Sequence, residues 1–291
     1  MALDSNTGDI YTGGTDGRVV KWSVPGSPGP RIATTSEGGK NVDINKAVHG
    51  GTVTTVDVAG EIVVSAGWDD VARFTETGNM NTDGVAGIGG QPKASGSDSG
   101  RVVIATKDTL QVIEGGKIKF SIPVSYSASS IAVKGDVVAV GSDKNKIHIY
   151  SLSSSGSLSE TNVIEGHTGV VNSLAFNGDG SKLAAGDVKE VRVWNANEWT
   201  PEIKGRWQFH TSRITGVSWS PCGGYIASVG TDENMFVWSL EKKMRRLNYK
   251  FCHKGGCTGV EWTGEGRIVT CGEDGCVAEW DVGAEMAEKF K

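Results

Sequence analysis

A histidine, a hydroxyl and a carboxylate recur together along this chain. His210, Ser228 and Asp232 form one set, His253, Thr270 and Asp274 a second, and His49, Ser65 and Asp69 a third. In an enzyme these groups supply a nucleophile, its general base and the acid that orients the base. Recurrence argues against that chemistry, because one chain has no use for the same active site several times over. The strongest copies also place a tryptophan six residues after the Asp: Asp232 to Trp238, Asp274 to Trp280 and Asp16 to Trp22. A hydroxyl stands four residues before each of these carboxylates, at Ser228, Thr270 and Thr12. Hydrogen bonds run in series through such a set would tie the loop before a small sheet's first strand to its third strand. Each is worth about 0.5–1.5 kcal/mol net, and a buried Asp left unpaired costs more. These residues are therefore read as structural tetrads, and no catalytic residue is assigned.

The remaining candidates are weaker. Cys252, Cys257, Cys271 and Cys276 repeat a C-x4-C spacing, wider than the pairs most zinc sites use, so reduced thiols are expected and no metal site is assigned. Gly38-Gly39-Lys40 runs into Asn41, and Gly87 to Gly90 precedes Pro92, so neither is a phosphate-cradling loop and no cofactor is expected. Lys242, Lys243, Arg245 and Arg246, with Lys250 close by, form the densest basic run. They read either as a contact for an acidic partner or as a solvated edge strand that charge protects from pairing. Trp199, Trp207 and Tyr249 stand outside the regular aromatic positions, as interface aromatics or as packing. The tract Ser151 to Glu160 reads as a flexible loop.

The elements that must position these sets are short apolar runs broken by Gly, Asp, Asn and Ser. Among 291 residues stand 42 Gly and only 7 Pro, a composition of many strands and many turns. Third strands end near Trp22, Thr75, Ile113, Tyr150, Trp194, Trp238 and Trp280. Most of these intervals are close to the roughly 40–45 residues of one propeller blade. The long first interval holds the Gly- and Pro-rich stretch Pro25 to Asn45. The expectation is an all-β protein, a seven-bladed β-propeller of four-stranded antiparallel blades over residues 1–283, with a tail at 284–291. Val217, Trp219, Ile226 and Ser228 read as alternating, half-buried strands.

Several copies are degenerate. Thr75 stands in a Trp position; the third copy survives only as strands around Val102 to Ala105, Leu110 to Ile113 and Ile118 to Ile122. The fourth keeps Asp143 and Tyr150; the fifth runs from His167 to Trp194, with Ala184 and Val188 in the hydroxyl and Asp positions. The first copy starts inside its innermost strand at Met1-Ala2-Leu3-Asp4, with no His and no preceding loop, as expected for the C-terminal part of a longer protein. After Trp280 and Asp281 the stretch VGAEMAEKFK is a weak fourth strand or a helical tail. The last blade is therefore expected to lack its outer strand or to borrow it from outside this chain.

A net charge of −5 argues against a nucleic-acid or anionic-membrane partner, since both reward a basic face. No stretch approaches the roughly 18–20 apolar residues of a membrane span. The five Cys form no small-scaffold disulfide framework and no Asn-x-Ser/Thr acceptor occurs, so a reducing, intracellular compartment is expected.

The departures from the repeat are specific. IYTGGTDGRVVKW at Ile10, VVSAGWDDVARFT at Val63, a Gln91-Pro92-Lys93-Ala94 strand, SIPV at Ser121 and HTSRITGVSWSPCGGYIASVGTDENMFVWSL at His210 together resemble the C-terminal propeller of the actin-interacting protein 1 (WD-repeat protein 1) family. The resemblance implies a non-enzymatic cytoplasmic protein of the actin cytoskeleton. It implies binding to filamentous actin and help for cofilin in filament severing and disassembly. It also implies that another propeller carries much of the actin and cofilin contact. The other reading is a generic WD-repeat scaffold that assembles a multiprotein complex.

Overall fold

The computed structural model describes residues 1–23, 31–34, 42–44, 49–78 and 80–291. The chain opens with β1 (Ala2–Leu3), β2 (Ile10–Gly13), β3 (Val19–Trp22), β4 (Arg31–Thr34) and β5 (Val42–Ile44). Of these, β1, β2, β3 and β5 pair in that order as the first sheet.

Three consecutive quartets follow. The second sheet is β6 (Val53–Ala59), β7 (Ile62–Gly67), β8 (Val71–Glu76) and β9 (Thr82–Gly87). The third is β10 (Ala94–Asp98), β11 (Arg101–Ala105), β12 (Thr109–Glu114) and β13 (Lys117–Pro123). The fourth is β14 (Ala128–Lys134), β15 (Val137–Ser142), β16 (Ile147–Leu152) and β17 (Leu158–Ile164). These four sheets make one compact unit.

A second unit holds the remaining three. They are β18 (Ser173–Phe176), β19 (Lys182–Gly186), β20 (Val191–Asn195) and β21 (Pro201–Trp207); then β22 (Ile214–Trp219), β23 (Tyr225–Gly230), β24 (Met235–Ser239) and β25 (Arg246–Tyr249). The seventh comprises β26 (Cys257–Gly264), β27 (Arg267–Gly272) and β28 (Cys276–Asp281), with β4 as its outer strand. Seven four-stranded antiparallel sheets are the seven-bladed β-propeller that the repeat predicts.

The last blade corrects one expectation. It is neither open nor completed from outside the chain, because Thr34, Ala33, Ile32 and Arg31 pair antiparallel with Cys276, Val277, Ala278 and Glu279. The Pro25 to Asn45 stretch that lengthens the first interval thus supplies two outer strands, β4 to the seventh blade and β5 to the first; its other residues lie outside the described ones. A row of unpaired groups along β28 is what β4 satisfies. After β28 the chain turns into the helix α1 (Gly283–Lys289). Val282, Met286 and Phe290 recur every four residues, a helical spacing, and bury against Tyr225 and Trp262.

The sixth blade's β22 and β23 are not half-buried. Ile226, Ala227, Ser228 and Val229 are all fully buried, consecutive residues on opposite faces of β23. β23 is covered on both faces, so a strand that would alternate in a lone sheet becomes a continuous apolar run. Alternation returns on outer strands such as β13, where most side chains face solvent. Two other readings shift. Gln91 to Lys93 precede β10 and only Ala94 lies within it. The serine-rich tract holds the end of β16 and the start of β17, joined by a turn in which Ser153 N–H donates to Ser157 O at 2.9 Å.

Candidate functional site

In the sixth blade, His210 lies on the loop before β22, Ser228 on β23, Asp232 on the β23–β24 turn and Trp238 on β24. His210 Nδ1 is 3.0 Å from Asp232 Oδ2, His210 Nε2 is 2.9 Å from Ser228 Oγ, and Trp238 Nε1–H donates to Ser228 Oγ at 2.8 Å. The bonds form a one-way chain in which indole donates to hydroxyl, hydroxyl to Nε2, and Nδ1–H to carboxylate. Only a neutral imidazole satisfies every member. The seventh blade repeats it, with His253 2.9 Å from Asp274 and 2.7 Å from Thr270, and Trp280 donating to Thr270 at 2.9 Å. In the second, His49 reaches Asp69 at 2.8 Å and Ser65 at 2.9 Å, while Thr75 replaces the indole and its Oγ1 lies 3.1 Å from that of Thr82. The first keeps Trp22 donating to Thr12 at 2.8 Å; Asp16 accepts from the Arg18 amide at 3.1 Å.

The carboxylates hold charge against burial. Burial acts to raise the pKa of Asp232, but the His210 hydrogen bond and the Thr211 and Asn234 amides outweigh it and bring it to about 2. Asp69 is likewise at about 2, where His49, the Gly50 amide and Arg73 overcome burial. Asp274 is lowered, against burial, by the Cys276 amide and His253. The residue after each tetrad Asp has a left-handed backbone: Gly17, Asp70, Glu233 and Gly275. Glycine takes that conformation freely, whereas Asp70 and Glu233 are held there by the turn. Ser65, Ser228 and Thr270 are buried, so the hydroxyls face their partners and not solvent. The arrangement ties a loop to a sheet.

Sequence spacing missed a substitute in the fourth blade. Ser127 N–H donates to Asp143 Oδ1 at 3.0 Å, as Thr211 N–H does to Asp232 at 2.8 Å, which puts Tyr126 in the position of His210. Tyr126 and Tyr150 hydroxyls meet at 2.7 Å, and the Tyr126 ring stacks on His148 at 3.9 Å. Two phenols thus link the loop to the third strand. The signal was one residue, the position just before the amide that serves the Asp. In the fifth blade a buried Glu190–Arg192 pair at 2.8 Å occupies this region, and Asp187 caps the turn by accepting from the Glu190 amide at 3.0 Å.

The basic run lies on the β24–β25 turn and the start of β25. Lys242 Nζ is 3.0 Å from Glu241, and Arg245 donates to the carbonyls of Lys289 and Lys291 at 2.9 and 2.6 Å, closing the C-terminal end of α1. Arg246 stacks over Phe209 at 3.4 Å, and Lys243 is exposed. Beneath it Trp207 is fully buried, stacks on Trp238 at 5.2 Å and donates to Lys243 O at 3.0 Å, so it is packing. Tyr249 donates to Glu285 at 2.9 Å; Trp199 is half-buried. Phe209 and Arg206, which carry no repeat signal, and the 75% exposed Met244 within the basic run complete an aromatic and cationic rim. All five cysteines are free thiols, with Cys252, Cys257 and Cys271 buried. Among the described residues no three His, Cys, Asp or Glu side chains converge as metal ligands would.

Residues 158–195, 202–239 and 245–281 match the family model described as WD domain, G-beta repeat. Together with the seven sheets, these matches define the class: the chain is a WD-repeat β-propeller. It is 29% identical to the 66 kDa stress protein of Physarum polycephalum, over 97% of this chain and 46% of that protein. It is 30% identical to actin-interacting protein 1 of Drosophila melanogaster (97% and 45%), and 26% identical to WD repeat-containing protein 1-B of Xenopus laevis (97% and 46%). Several of the relatives it matches carry the names actin-interacting protein 1 or WD repeat-containing protein 1, the family that the sequence resembles. It spans about half the length of the relatives it matches.

Proposed function

We propose that the chain is a non-enzymatic actin-filament-binding module that assists cofilin in severing and disassembling filaments. The observation that carries this reading is similarity over 97% of the chain to a protein named actin-interacting protein 1. Cofilin enters through the family resemblance. The proposed contact is the rim of the sixth blade: Lys242, Lys243, Arg245 and Arg246, laid over a rigid aromatic base. Actin is acidic, and Arg, Met and Phe are residues that interfaces favour. Arg245 serves the surface indirectly, by holding α1 beside it.

Co-sedimentation with filamentous actin, with and without cofilin, at low and physiological salt tests the reading. Pelleting that cofilin enhances supports it. Absence of pelleting in every condition favours a WD-repeat scaffold for another multiprotein complex, the reading that the fold alone accommodates.

A further inference from the structure

We infer that a cleft in the first two blades binds an arginine-bearing apolar segment of a partner protein. The cleft measures about 810 Å³ and is lined by the β1–β2, β6–β7 and β8–β9 turns. It is open to solvent and large enough to take side chains of a partner segment. Ala59, Ile62 and Phe74 line it with apolar surface and the exposed Glu61 and Glu76 with carboxylates, while Asp4 at its edge is buried and its Oδ1 accepts from the Asn6 amide at 2.9 Å. The same three apolar residues also border a smaller crevice toward Val102 and Ile113, so the apolar lining continues past the cleft.

The carboxylates stand on fixed turns. Gly8 N–H donates to Asp4 O at 2.8 Å, Thr77 N–H to Glu61 O at 3.0 Å and Met80 N–H to Glu76 O at 3.0 Å. Little backbone ordering is left for a ligand to impose. Lys21, whose ammonium donates to Thr77 O at 2.9 Å, has its own carboxylate partner in Asp9 at 3.0 Å. Two exposed carboxylates, Glu61 and Glu76, beside an apolar lining disfavour an anionic ligand and favour a cation carried by an apolar stem. Arginine fits better than lysine, since its flat guanidinium stacks on an aromatic ring and forks between carboxylates. Apolar residues beside the arginine would cover Ile62 and Ala59. The partner chemistry is opposite to that of the cationic rim on the sixth blade, so the two surfaces serve different contacts.

Fluorescence anisotropy of the full chain with fluorescein-labelled Gly-Ser-Leu-Arg-Leu-Ser-Gly tests this, beside the same peptide carrying Gln or Glu in place of Arg. The Arg peptide should bind at least about tenfold more tightly than either. The double variant Glu61→Gln, Glu76→Gln, on exposed turns and checked for an unchanged melting temperature, should lose about tenfold in affinity, and Lys243→Ala none. Equal binding of the Gln peptide, an unchanged affinity in the double variant, or no binding of the Arg peptide at millimolar concentration overturns the proposal.

Discussion

The fourth and sixth blades solve one problem with different chemistry. Each must tie the loop before its first strand to its third strand. The sixth does so through Trp238, Ser228, His210 and Asp232 in an unbroken donor–acceptor chain, whereas the fourth places two phenols, Tyr126 and Tyr150, directly against each other. The carboxylates differ accordingly. Asp232 is almost fully enclosed and accepts from His210, Thr211 and Asn234; Asp143 is exposed, and the Ser127 amide donates to it. What the fold requires is the tie, and the side chains that make it are interchangeable. Energy, though, is concentrated in the blade whose carboxylate is buried.

The largest expected effect breaks the comparison at that carboxylate. Asp232→Ala strands the His210 ring N–H and two amides, and should lower unfolding stability by about 3 kcal/mol. Asp143→Ala should cost under about 1 kcal/mol. Urea midpoints of the two variants measure the difference, and equal losses would mean the blades rely on their carboxylates alike.

Acid should separate the buried carboxylates next. Asp232 and Asp69, at about 2 in the fold, titrate below the ordinary 3.8, so their stabilisation is complete above pH 4 and is lost as pH falls from about 4 to 2. Asp232 alone accounts for about 2 kcal/mol of that loss. Asp57 carries the opposite sign. Burial against β10 raises it to about 6, only partly offset by Ser95 and Ser97, so its contribution is full below pH 4 and fades as pH rises through 6. Asp57→Asn, which mimics the protonated form, should therefore be more stable than the parent at pH 7 and level with it at pH 4. Thermal melts across pH 2–8 decide both signs.

The fold was legible because the repeat is periodic: the Asp-to-Trp spacing and the Gly-marked turns set seven blades without any tertiary information. Two features escaped. The outer strand of the last blade comes from β4, far away in sequence and flanked by Pro and Gly, where local pattern carries no strand signal. The Tyr126–Tyr150 tie escaped because a search keyed to His, Ser and Trp sees two unrelated tyrosines; only their common hydroxyl contact reveals the role. The rim was half legible. Its charge shows in the run Lys242 to Arg246, but Phe209 joins it only through folding, and Arg245 proves bound to the end of α1.

The phenol tie itself offers the finest test. Burial comes first, with the neighbouring Tyr150 hydroxyl and Glu160 behind it, in raising the pKa of Tyr126 above that of an exposed tyrosine, so both phenols stay neutral and one donates to the other. Tyr150→Phe leaves the Tyr126 hydroxyl buried and unanswered and should cost about 1 kcal/mol, as should Tyr126→Phe. The double variant removes both polar groups from one apolar contact and should cost no more than either single change. A double-mutant cycle on urea midpoints then returns a coupling of about 1 kcal/mol. Additive losses would mean that the two hydroxyls do not depend on each other, and that the fourth blade is held by the stacking of Tyr126 on His148 instead.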